Sequence, residues 1–411
     1  MTKAKLNWLP LFFTNFLGVL NDNFLKYLVF FISTTWLLKN QESIVIMLAS
    51  GLFVLPYIFF SPLAGKLARD HAKARIIQRA KLFEIPIMVI ASIGFLLSNI
   101  YIVMFGILLM GLQSSLFSPA KYGIIRDIGG KEGISFGTGS MEMLTFLGVL
   151  MGTFFAGVFS DFQKLPGYPV HRMVIICLAL ILFAVVGWVT SLKIQPKETV
   201  PNEEEETSLN FMIFLRHSFR WAKQIKGLNI TIIGLSSFWL IGALLQMNIT
   251  VHCRNILMLS DTHTSTIMAL VAIGIGAGCY LTGVISNRKV KMHLVPIGGM
   301  GMGICVSLIY LLNPSTNLFT ILIVLTAFFA GMFKIPLNAF IQDRVEGRKL
   351  GLILGYNNLM VFIFILVSSG IFGLVETLSD SNGVFLTIAA IIWLITIIVW
   401  AKIPGANKFK Q

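Results

Sequence analysis

Long apolar stretches separated by short polar connections run along almost the whole of this chain. Twelve such stretches lie at 9–37, 44–64, 77–97, 100–119, 135–159, 170–192, 228–251, 264–286, 294–312, 317–336, 350–375 and 383–402. As a helix rising about 1.5 Å per residue, each is long enough to cross the roughly 30 Å hydrocarbon core of a bilayer. The pattern predicts an all-α integral membrane protein with twelve transmembrane helices.

The only sizeable polar interval, 193–227, lies between the sixth and seventh stretches. Its first part contains the acidic run Glu203 to Glu206, which is typical of a solvated linker. Its second part alternates Phe211, Phe214, Leu215 and Phe219 with Arg216, Arg220 and Lys223, which predicts an amphipathic helix on the membrane surface. We therefore expect a six-helix half at 1–194, a cytoplasmic linker with its helix at 195–227, and a second half at 228–411.

The two halves repeat each other weakly at a near-constant offset. Leu63-Ala64-Gly65-Lys66 is matched by Leu281-Thr282-Gly283-Val284, 218 positions later, and Ser118-Pro119-Ala120 by Ile335-Pro336-Leu337, 217 positions later. Two repeated six-helix halves joined by a long linker resemble the major facilitator fold. That fold implies a substrate site between the halves near the bilayer midplane.

Composition and charge support a membrane location and indicate an orientation. Of 411 residues, 56% are hydrophobic and 12% charged, whereas a soluble domain carries roughly a quarter charged residues. The net charge is +14, and, with Lys334 left aside, 26 of the 32 Lys and Arg fall at the termini, or in or within five residues of connections on the same side as the termini. The positive-inside rule then predicts cytoplasmic termini. Because no basic stripe is interleaved with aromatic residues, nucleic-acid binding is not expected.

The chain lacks the motifs of catalytic and metal sites. All six histidines lie in connections or at segment ends, the four cysteines form no Cys-x-x-Cys pair, and no Gly-rich phosphate loop with lysine occurs. The glycine run Gly274-x-Gly276-x-Gly278 lies in an apolar helix, where it favours close helix packing. We expect no enzyme activity, no catalytic residue, no metal and no cofactor.

The first apolar stretch contains charged residues at membrane depth. Asp22 lies 14 residues into it, about 20 Å along the helix axis, where an unpaired charge is costly. Asn15, Asp22 and Lys26 share one helical stripe, and Asn23 adjoins it. Two interpretations stay open: an Asp22–Lys26 pair that neutralises itself, or a cavity-lining site for substrate or a coupling ion.

Other polar residues are predicted at membrane depth in later stretches. Glu84 and Glu142 either pair with Lys81 or Lys121 in an inter-helix lock or contact substrate. For Gln246 and Asn248, helix–helix hydrogen bonding is the favoured role. The remaining groups are Gln113, Ser114 and Ser115 in the fourth stretch and Lys334, Asn338, Asn357 and Asn358 in the tenth and eleventh.

Several motifs in chain order resemble those of bacterial lysophospholipid transporters of the major facilitator superfamily, including transporter domains fused to acyltransferase and acyl-ACP synthetase modules. The motifs are Gly18-Val19-Leu20-Asn21-Asp22-Asn23-Phe24-Leu25-Lys26, Phe117 to Tyr122, Glu142 to Leu147, Phe238 to Ala243, Gly274 to Gly278, Ile335 to Gln342, and Asn357-Asn358. The resemblance implies inward flipping of lysophospholipids across the bacterial inner membrane, for re-acylation at the cytoplasmic face. No acyltransferase module is attached, so a separate acyltransferase is an expected partner, and a monomer is expected among membrane lipids.

The resemblance also bears on candidate residues. We expect Lys26 or Lys121 near the phosphate and Asp22 near an amine or a coupling cation. The loop from Gly65 to His71 approximates the superfamily's Gly-x-x-x-Asp-Arg loop, with Arg69 and Asp70 in transposed order. The predicted substrate or coupling residues are Asn15, Asp22, Asn23, Lys26, Lys121, Glu142, Gln246, Asn338, Asn357 and Asn358, and the predicted gating residues are Gly65, Arg69, Asp70 and Glu84.

Two other functions are compatible with the sequence. One is a proton- or sodium-coupled exporter of small amphipathic compounds on the same fold. The other is a membrane-embedded lipid enzyme or a scaffold without transport activity, although the sequence lacks a nucleophile–base set. Substrate transport and drug accumulation distinguish the first from a lysolipid transporter, and chemical alteration of a lipid would indicate the second.

Overall fold

The protein is described by a computed structural model that covers residues 8–32, 36, 42–165, 167, 169–194, 210–259, 261–286, 289–347 and 349–406. Helices account for nearly all of this part of the chain, and no strand occurs within it. In a bilayer a helix satisfies its backbone hydrogen bonds within its own segment, which explains why apolar stretches of this length become helices.

The helices begin and end close to the predicted boundaries. They are α1 (Leu9–Phe31), α2 (Glu42–Asp70), α3 (Lys73–Leu96), α4 (Ile100–Lys164), α5 (Pro169–Ser191), α6 (Phe211–Gln224), α7 (Leu228–Asn255), α8 (Asp261–Ser286), α9 (Leu294–Leu312), α10 (Thr316–Arg344), α11 (Lys349–Leu378) and α12 (Ser381–Lys402). Within the described ranges, nine helices are both long and apolar enough to cross a membrane. The helices α1 and α3 fall outside that group because polar and charged residues interrupt them.

Helix α4 contains the predicted boundary between the fourth and fifth crossings, in a shorter form than expected. The sequence predicts two stretches with a connection at 120–134, whereas α4 continues through this region for 65 residues. The only non-helical backbone within it is at Gly130, with φ 59° and ψ −169°. Glycine adopts positive φ without the steric cost that a Cβ brings. The fourth and fifth predicted crossings are therefore the segments of α4 before and after a kink at Gly130.

Residue contacts divide the chain into two units. Unit 1 comprises 1–128, 147–214 and 347–358, and unit 2 comprises 129–146, 215–346 and 359–411. Each unit includes a short piece from the other side of the linker: the start of α11 in unit 1 and the turns of α4 after Gly130 in unit 2. The predicted domains 1–194, 195–227 and 228–411 are consecutive ranges along the chain, and these boundaries remain a prediction.

In unit 1, α1 is buried among its neighbours. Phe24, Leu25 and Leu28 are fully buried in an apolar cluster with residues of α3, α4 and α5. Gly152 of α4 permits close contact with α1, because a Cβ there would collide with the Leu20 carbonyl oxygen. This packing fixes the side of α1 that carries Asp22.

In unit 2, the predicted glycine run forms a close helix crossing. A Cβ on Gly274 would lie 2.8 Å from the Val324 carbonyl oxygen of α10, and one on Gly278 would collide with the Phe328 carbonyl oxygen. From the α10 side, a Cβ on Gly331 would lie 2.5 Å from the Cys279 backbone nitrogen. The interpretation of the run as close helix packing is confirmed for α8 and α10.

The sequence repeat reappears as a repeated glycine contact. In unit 1, a Cβ on Gly65 of α2 would lie 3.3 Å from the Gly351 carbonyl oxygen and 3.4 Å from the Gly355 Cα of α11. In unit 2, a Cβ on Gly283 of α8 would lie 3.2 Å from the Gly139 Cα of α4. Gly65 and Gly283 are the aligned residues of the predicted repeat. Each unit therefore contains the same kind of glycine-to-glycine crossing.

The predicted amphipathic helix forms as α6. Phe214, Ser218 and Ala222 are buried at four-residue spacing, whereas Arg216 and Arg220 are exposed. The acidic run from Glu203 to Glu206 lies outside the described residues. The position of α6 on a membrane surface remains a prediction.

Candidate functional site

The carboxylate of Asp22 lies against α4. Ser114 donates a hydrogen bond from its hydroxyl to Asp22 Oδ2 at 2.8 Å. The other oxygen, Oδ1, is buried and has no hydrogen-bond partner among the described residues. A buried carboxylate oxygen with unused acceptor capacity is costly, so it is suited to receive a donor from a ligand.

Lys26 does not pair with Asp22. Its ammonium lies over the rings of Tyr27 and Phe30, 5.6 and 5.7 Å from their centroids, and it has no carboxylate partner within the described part of the chain. Such contacts offer a desolvated ammonium some stabilisation. The interpretation of Asp22 and Lys26 as a self-neutralising pair is therefore wrong, because each group has different partners.

A second carboxylate of this region, Glu84, is paired within its own helix. Lys81 lies 2.5 Å from Glu84 Oε2, and Asn21 of α1 donates to Glu84 Oε1 at 2.9 Å. All three side chains are buried. The pairing with Lys81 follows one of the two predicted alternatives, while the link between helices is made by Asn21.

Lys81 is a residue of this site that the predicted set omits. It is 1% exposed, and its ammonium occupies the space that a Cβ on Gly18 of α1 would need. The sequence signal was the i, i+3 spacing of Lys81 and Glu84 on α3. The sequence predicts Lys81 only as a possible partner of Glu84 or Glu142.

Lys121 provides a second cation close to α1. It donates to Asn15 Oδ1 at 3.2 Å and lies over the rings of Phe117 and Tyr122. Phe117 also faces the Lys81 ammonium, at 5.9 Å. Unit 1 thus contains a cluster of two carboxylates, Asp22 and Glu84, and two ammonium groups, Lys81 and Lys121, carried by α1, α3 and α4.

Ser114 connects this cluster to the wall of α3. Its hydroxyl oxygen lies 2.8 Å from Asp22 Oδ2 and 3.0 Å from Gln113 Oε1. The Gln113 amide in turn donates to the Ala80 carbonyl oxygen at 3.0 Å. Because a hydroxyl has one proton to donate, Ser114 can serve Asp22 or Gln113 but not both at once.

Unit 2 contains a separate buried ion pair. Lys334 of α10 donates to Glu142 Oε2 of α4 at 2.7 Å, and Asn338 donates to Glu142 Oε1 at 3.4 Å. Gln342, one turn after Asn338 on α10, donates to Thr138, one turn before Glu142 on α4, at 3.1 Å. Glu142 thus has a buried cation partner from α10, Lys334, which neither predicted alternative included.

The Lys334 ammonium is also enclosed by aromatic rings. The ring centroids of Trp239, Phe238 and Phe146 lie 4.5, 5.0 and 5.3 Å from it. Lys334 is 2% exposed. The carboxylate of Glu142 and the aromatic rings together compensate for its loss of water.

The remaining predicted substrate residues are dispersed. Asn23 donates to the Val19 carbonyl oxygen of its own helix, and Gln246 is exposed. Asn358 accepts a hydrogen bond from Ser118 at 3.3 Å, while Asn357 Oδ1 and Asn358 Nδ2 are buried without a hydrogen-bond partner among the described residues.

Asn248 fulfils the expected helix–helix role. It donates to the Ser381 backbone carbonyl oxygen and accepts from the Ser381 hydroxyl, both at 3.0 Å. These bonds connect α7 with α12. His252 joins the same group through a 3.0 Å contact between its Nδ1 and the Ser381 hydroxyl.

Three of the four predicted gating residues, Gly65, Arg69 and Asp70, lie toward the end of α2, and the fourth, Glu84, lies on α3. Arg69 and Asp70, transposed relative to the superfamily loop, pair with each other, with Arg69 Nε 2.5 Å from Asp70 Oδ1. The neighbouring turn is tied to α4 by Lys73, 2.8 Å from Asp127. Together with the contact of Gly65 against α11, these interactions make this end of α2 a tightly packed part of unit 1.

The site has the chemistry of a binding region. Among the described residues, no group of three or more His, Cys, Asp or Glu is arranged to hold a metal ion. The functional groups are instead amides, paired charges and lysines beside aromatic rings. Such groups can bind and release an amphipathic ion without forming bonds to it.

Comparisons with known proteins place the chain in a family. The family model described as Major Facilitator Superfamily matches residues 11–369. The lysophospholipid transporter LplT of Photorhabdus laumondii is 27% identical over 330 residues, covering 79% of this chain and 77% of that protein. The protein of the same name from Serratia proteamaculans is 24% identical over 334 residues, covering 80% and 78%.

Solved structures agree on the fold. The human organic anion transporter MFSD10 has a TM-score of 0.76 at 12% identity, covering 97% of this chain and 100% of its own. A single-residue variant of the Escherichia coli fucose:proton symporter FucP has a TM-score of 0.76 at 10% identity, covering 97% and 99%. These similarities confirm the predicted transporter fold of twelve helices in two six-helix halves, and the chain belongs to the Major Facilitator Superfamily.

Proposed function

We propose that this chain is a secondary transporter that moves lysophospholipids across a bacterial inner membrane by alternating access. The observation that carries the proposal is the pair of unlike charges on α1: the half-satisfied carboxylate of Asp22 and the Lys26 ammonium without a carboxylate partner in the described chain. Curated relatives that carry the name lysophospholipid transporter support the substrate class.

A zwitterionic lysolipid headgroup matches this arrangement. Asp22 and Lys26 are four residues apart on α1, about 6 Å along the helix axis, and lie on one stripe. A phosphate near Lys26 and an ammonium near Asp22 Oδ1 would each find an opposite charge. The aromatic rings of Tyr27 and Phe30 beside Lys26 provide apolar surface for the start of the acyl chain.

Alternating access requires contacts that can separate. We propose that the crossing of Gly65 with Gly351 and Gly355 is one such contact, because glycine-to-glycine surfaces are held by close packing and not by long side chains. The Arg69–Asp70 pair stays within α2 during this movement, since both residues belong to the same helix end.

Transport of labelled lysophosphatidylethanolamine into proteoliposomes tests the substrate and the site. We expect uptake by the wild type and at least tenfold slower uptake by Asp22→Asn and Lys26→Met. Lys131→Gln is the matched control, because Lys131 is an exposed lysine outside the site. Wild-type rates in both α1 variants would overturn the headgroup assignment. Proton- or sodium-driven movement of small amphipathic dyes without lysolipid transport would instead establish the exporter function.

The proposed orientation places both termini, and with them most basic connections, in the cytoplasm. Single cysteines test it, since the native Cys177, Cys253, Cys279 and Cys305 are all buried. A membrane-impermeant thiol reagent should label Asn313→Cys from outside intact cells and Arg126→Cys only after permeabilisation. We also propose that re-acylation of the delivered lysolipid is carried out by an acyltransferase on a separate chain.

A further inference from the structure

A groove of about 520 Å³ lies in unit 1, along α3 and the first segment of α4. The end of α2 and the turn after it close one end, while the two helices form its long walls. None of the four charged side chains of the cluster lines this groove. It approaches that cluster through Gln113, which lines the groove and whose Oε1 lies 3.0 Å from the Ser114 hydroxyl oxygen.

One end of the groove is cationic. Arg75 and Arg79 line it from successive turns of α3, and both are exposed. Neither has a carboxylate partner in the part of the chain that the structure describes. The acidic lining residue, Asp70, is already engaged by Arg69, whose Nε and Nη2 lie 2.5 and 3.1 Å from its two oxygens. This end therefore presents two guanidinium groups with unused hydrogen-bond donors.

The rest of the groove is apolar. Phe83 and Ile90 continue the same face of α3, and Leu109 and Leu112 face them from α4. The eleven residue-to-residue steps from Arg79 to Ile90 span about 16 Å along the helix. That is close to half of the roughly 30 Å hydrocarbon thickness, the depth reached by an acyl chain of one leaflet.

The order of these groups along the groove fits an amphiphile with an anionic head. Guanidinium groups bind phosphate oxygens through paired, charge-assisted hydrogen bonds. A phosphate held by Arg75 and Arg79 would place the attached chains directly over the apolar section. A free inorganic anion would use only the cationic end and leave the apolar section uncovered.

We propose that this groove is a binding site for an anionic glycerophospholipid, taken from the leaflet at the basic end of α3. Its phosphate contacts Arg75 and Arg79, and one acyl chain lies between α3 and α4. The identity of the leaflet rests on the proposed orientation of the transporter. The binding itself depends neither on that orientation nor on the transported substrate.

Binding can be measured on purified full-length protein in detergent. The probes are dioleoyl phosphatidylglycerol, dioleoyl phosphatidylcholine, lysophosphatidylethanolamine and inorganic phosphate, each titrated while the melting temperature and the number of bound lipids in native mass spectra are recorded. A ligand that binds only the folded state raises the melting temperature. We expect phosphatidylglycerol to do so more than phosphatidylcholine, and inorganic phosphate to have no effect at equal concentration.

Two double variants give the matched comparison. Arg75→Gln/Arg79→Gln should weaken phosphatidylglycerol binding about tenfold or more, because charge-assisted bonds are lost. Arg216→Gln/Arg220→Gln removes two exposed arginines with the same spacing from α6 and should leave binding unchanged. Ile90→Trp, which fills the apolar section and keeps both arginines, should also weaken binding.

Four results would overturn the proposal. They are equal loss in the two arginine doubles, undiminished binding in Arg75→Gln/Arg79→Gln, a phosphate effect as large as that of the lipid, or equal stabilisation by lysophosphatidylethanolamine through the same residues. The last would assign the groove to a lysolipid. Since no transport is measured, failure of the transport proposal leaves this test unaffected.

Discussion

The Lys334 ammonium lies 2.7 Å from the Glu142 carboxylate, and neither side chain is more than 2% exposed. The contact connects α10 with the part of α4 after Gly130, and Asn338 and three aromatic rings complete the surroundings of the two charges. Removing one partner of a buried pair leaves the other charge without compensation, which costs far more than the pair itself contributes.

Lys334→Met and Glu142→Gln should therefore each lower the free energy of unfolding strongly, by about 3–5 kcal/mol. The double variant should recover part of that loss, because neither charge is then left alone. Melting of the detergent-solubilised protein measures all three. Single variants as stable as the wild type would contradict this account.

The same unit offers a matched control. Lys131 and Glu346 form an ion pair at 2.8 Å, but their side chains are 64% and 61% exposed. Exposed pairs contribute about 0–1 kcal/mol. Lys131→Gln and Glu346→Gln should hardly change the melting temperature. Because the N···O distances of the two pairs are similar, burial would then explain why only the loss of Lys334 or Glu142 is destabilising.

Substitution of the two lysines near Asp22, Lys81 and Lys26, should affect stability differently. Lys81→Met removes the partner of Glu84, and Asp22 and Glu84 would then both lose a nearby cation; we expect a loss of about 3–5 kcal/mol. Lys26→Met leaves no carboxylate unpaired in the described chain, so the protein should keep its melting temperature and lose transport. Equal destabilisation by both substitutions would show that Lys26 also has a structural role.

Hydropathy and the repeat offset were sufficient to predict most of the fold. The helix α9 begins and ends at the predicted residues 294 and 312, because the extent of the apolar stretch determines where a membrane-crossing helix begins and ends. Gly65 and Gly283 could be aligned from sequence, and their contacts proved equivalent. The predicted connection at 120–134 contains the break between the two crossings, but it is shorter than expected, because the helices continue on both sides and only Gly130 leaves the helical conformation.

The partners of the charged residues could not be predicted in the same way. Glu142 and Lys334 are 192 positions apart, and which helices bring them together depends on packing. Lys26 shares a stripe with Asp22, yet its side chain extends toward the rings of Tyr27 and Phe30. Periodicity predicts the face of a helix that a residue occupies, whereas side-chain direction and neighbours determine its contacts.

Glycine substitutions test the close crossing of α8 with α10. Gly278→Ala would drive a methyl group into the Phe328 carbonyl, a backbone atom that cannot move alone. We expect a loss of about 1–3 kcal/mol from overpacking. Gly242→Ala is the control, since nothing lies within 4 Å of a Cβ there, and alanine in a helix should instead stabilise by up to about 1 kcal/mol. Equal melting temperatures for the two variants would contradict the crossing.

The charge state of Asp22 can be determined through its bond to Ser114. The cluster of two carboxylates and two ammonium groups is balanced only when Asp22 is ionised, which leads us to expect a charge-assisted hydrogen bond. A double-mutant cycle of Asp22→Ala and Ser114→Ala isolates that interaction. The coupling should be about 1.5–3 kcal/mol, against about 0.5–1.5 kcal/mol for a neutral bond.

A buried hydrogen bond between two uncharged side chains in unit 2 gives the comparison for this cycle: the Ser381 hydroxyl donates to Asn248 Oδ1 at 3.0 Å. A cycle of Asn248→Ala and Ser381→Ala measures it under the same conditions. A larger coupling for Asp22 and Ser114 means that a carboxylate with one unused oxygen is available to a cationic headgroup. Equal couplings would mean that Asp22 is neutral, and the proposed contact with a substrate ammonium would then lose its charge.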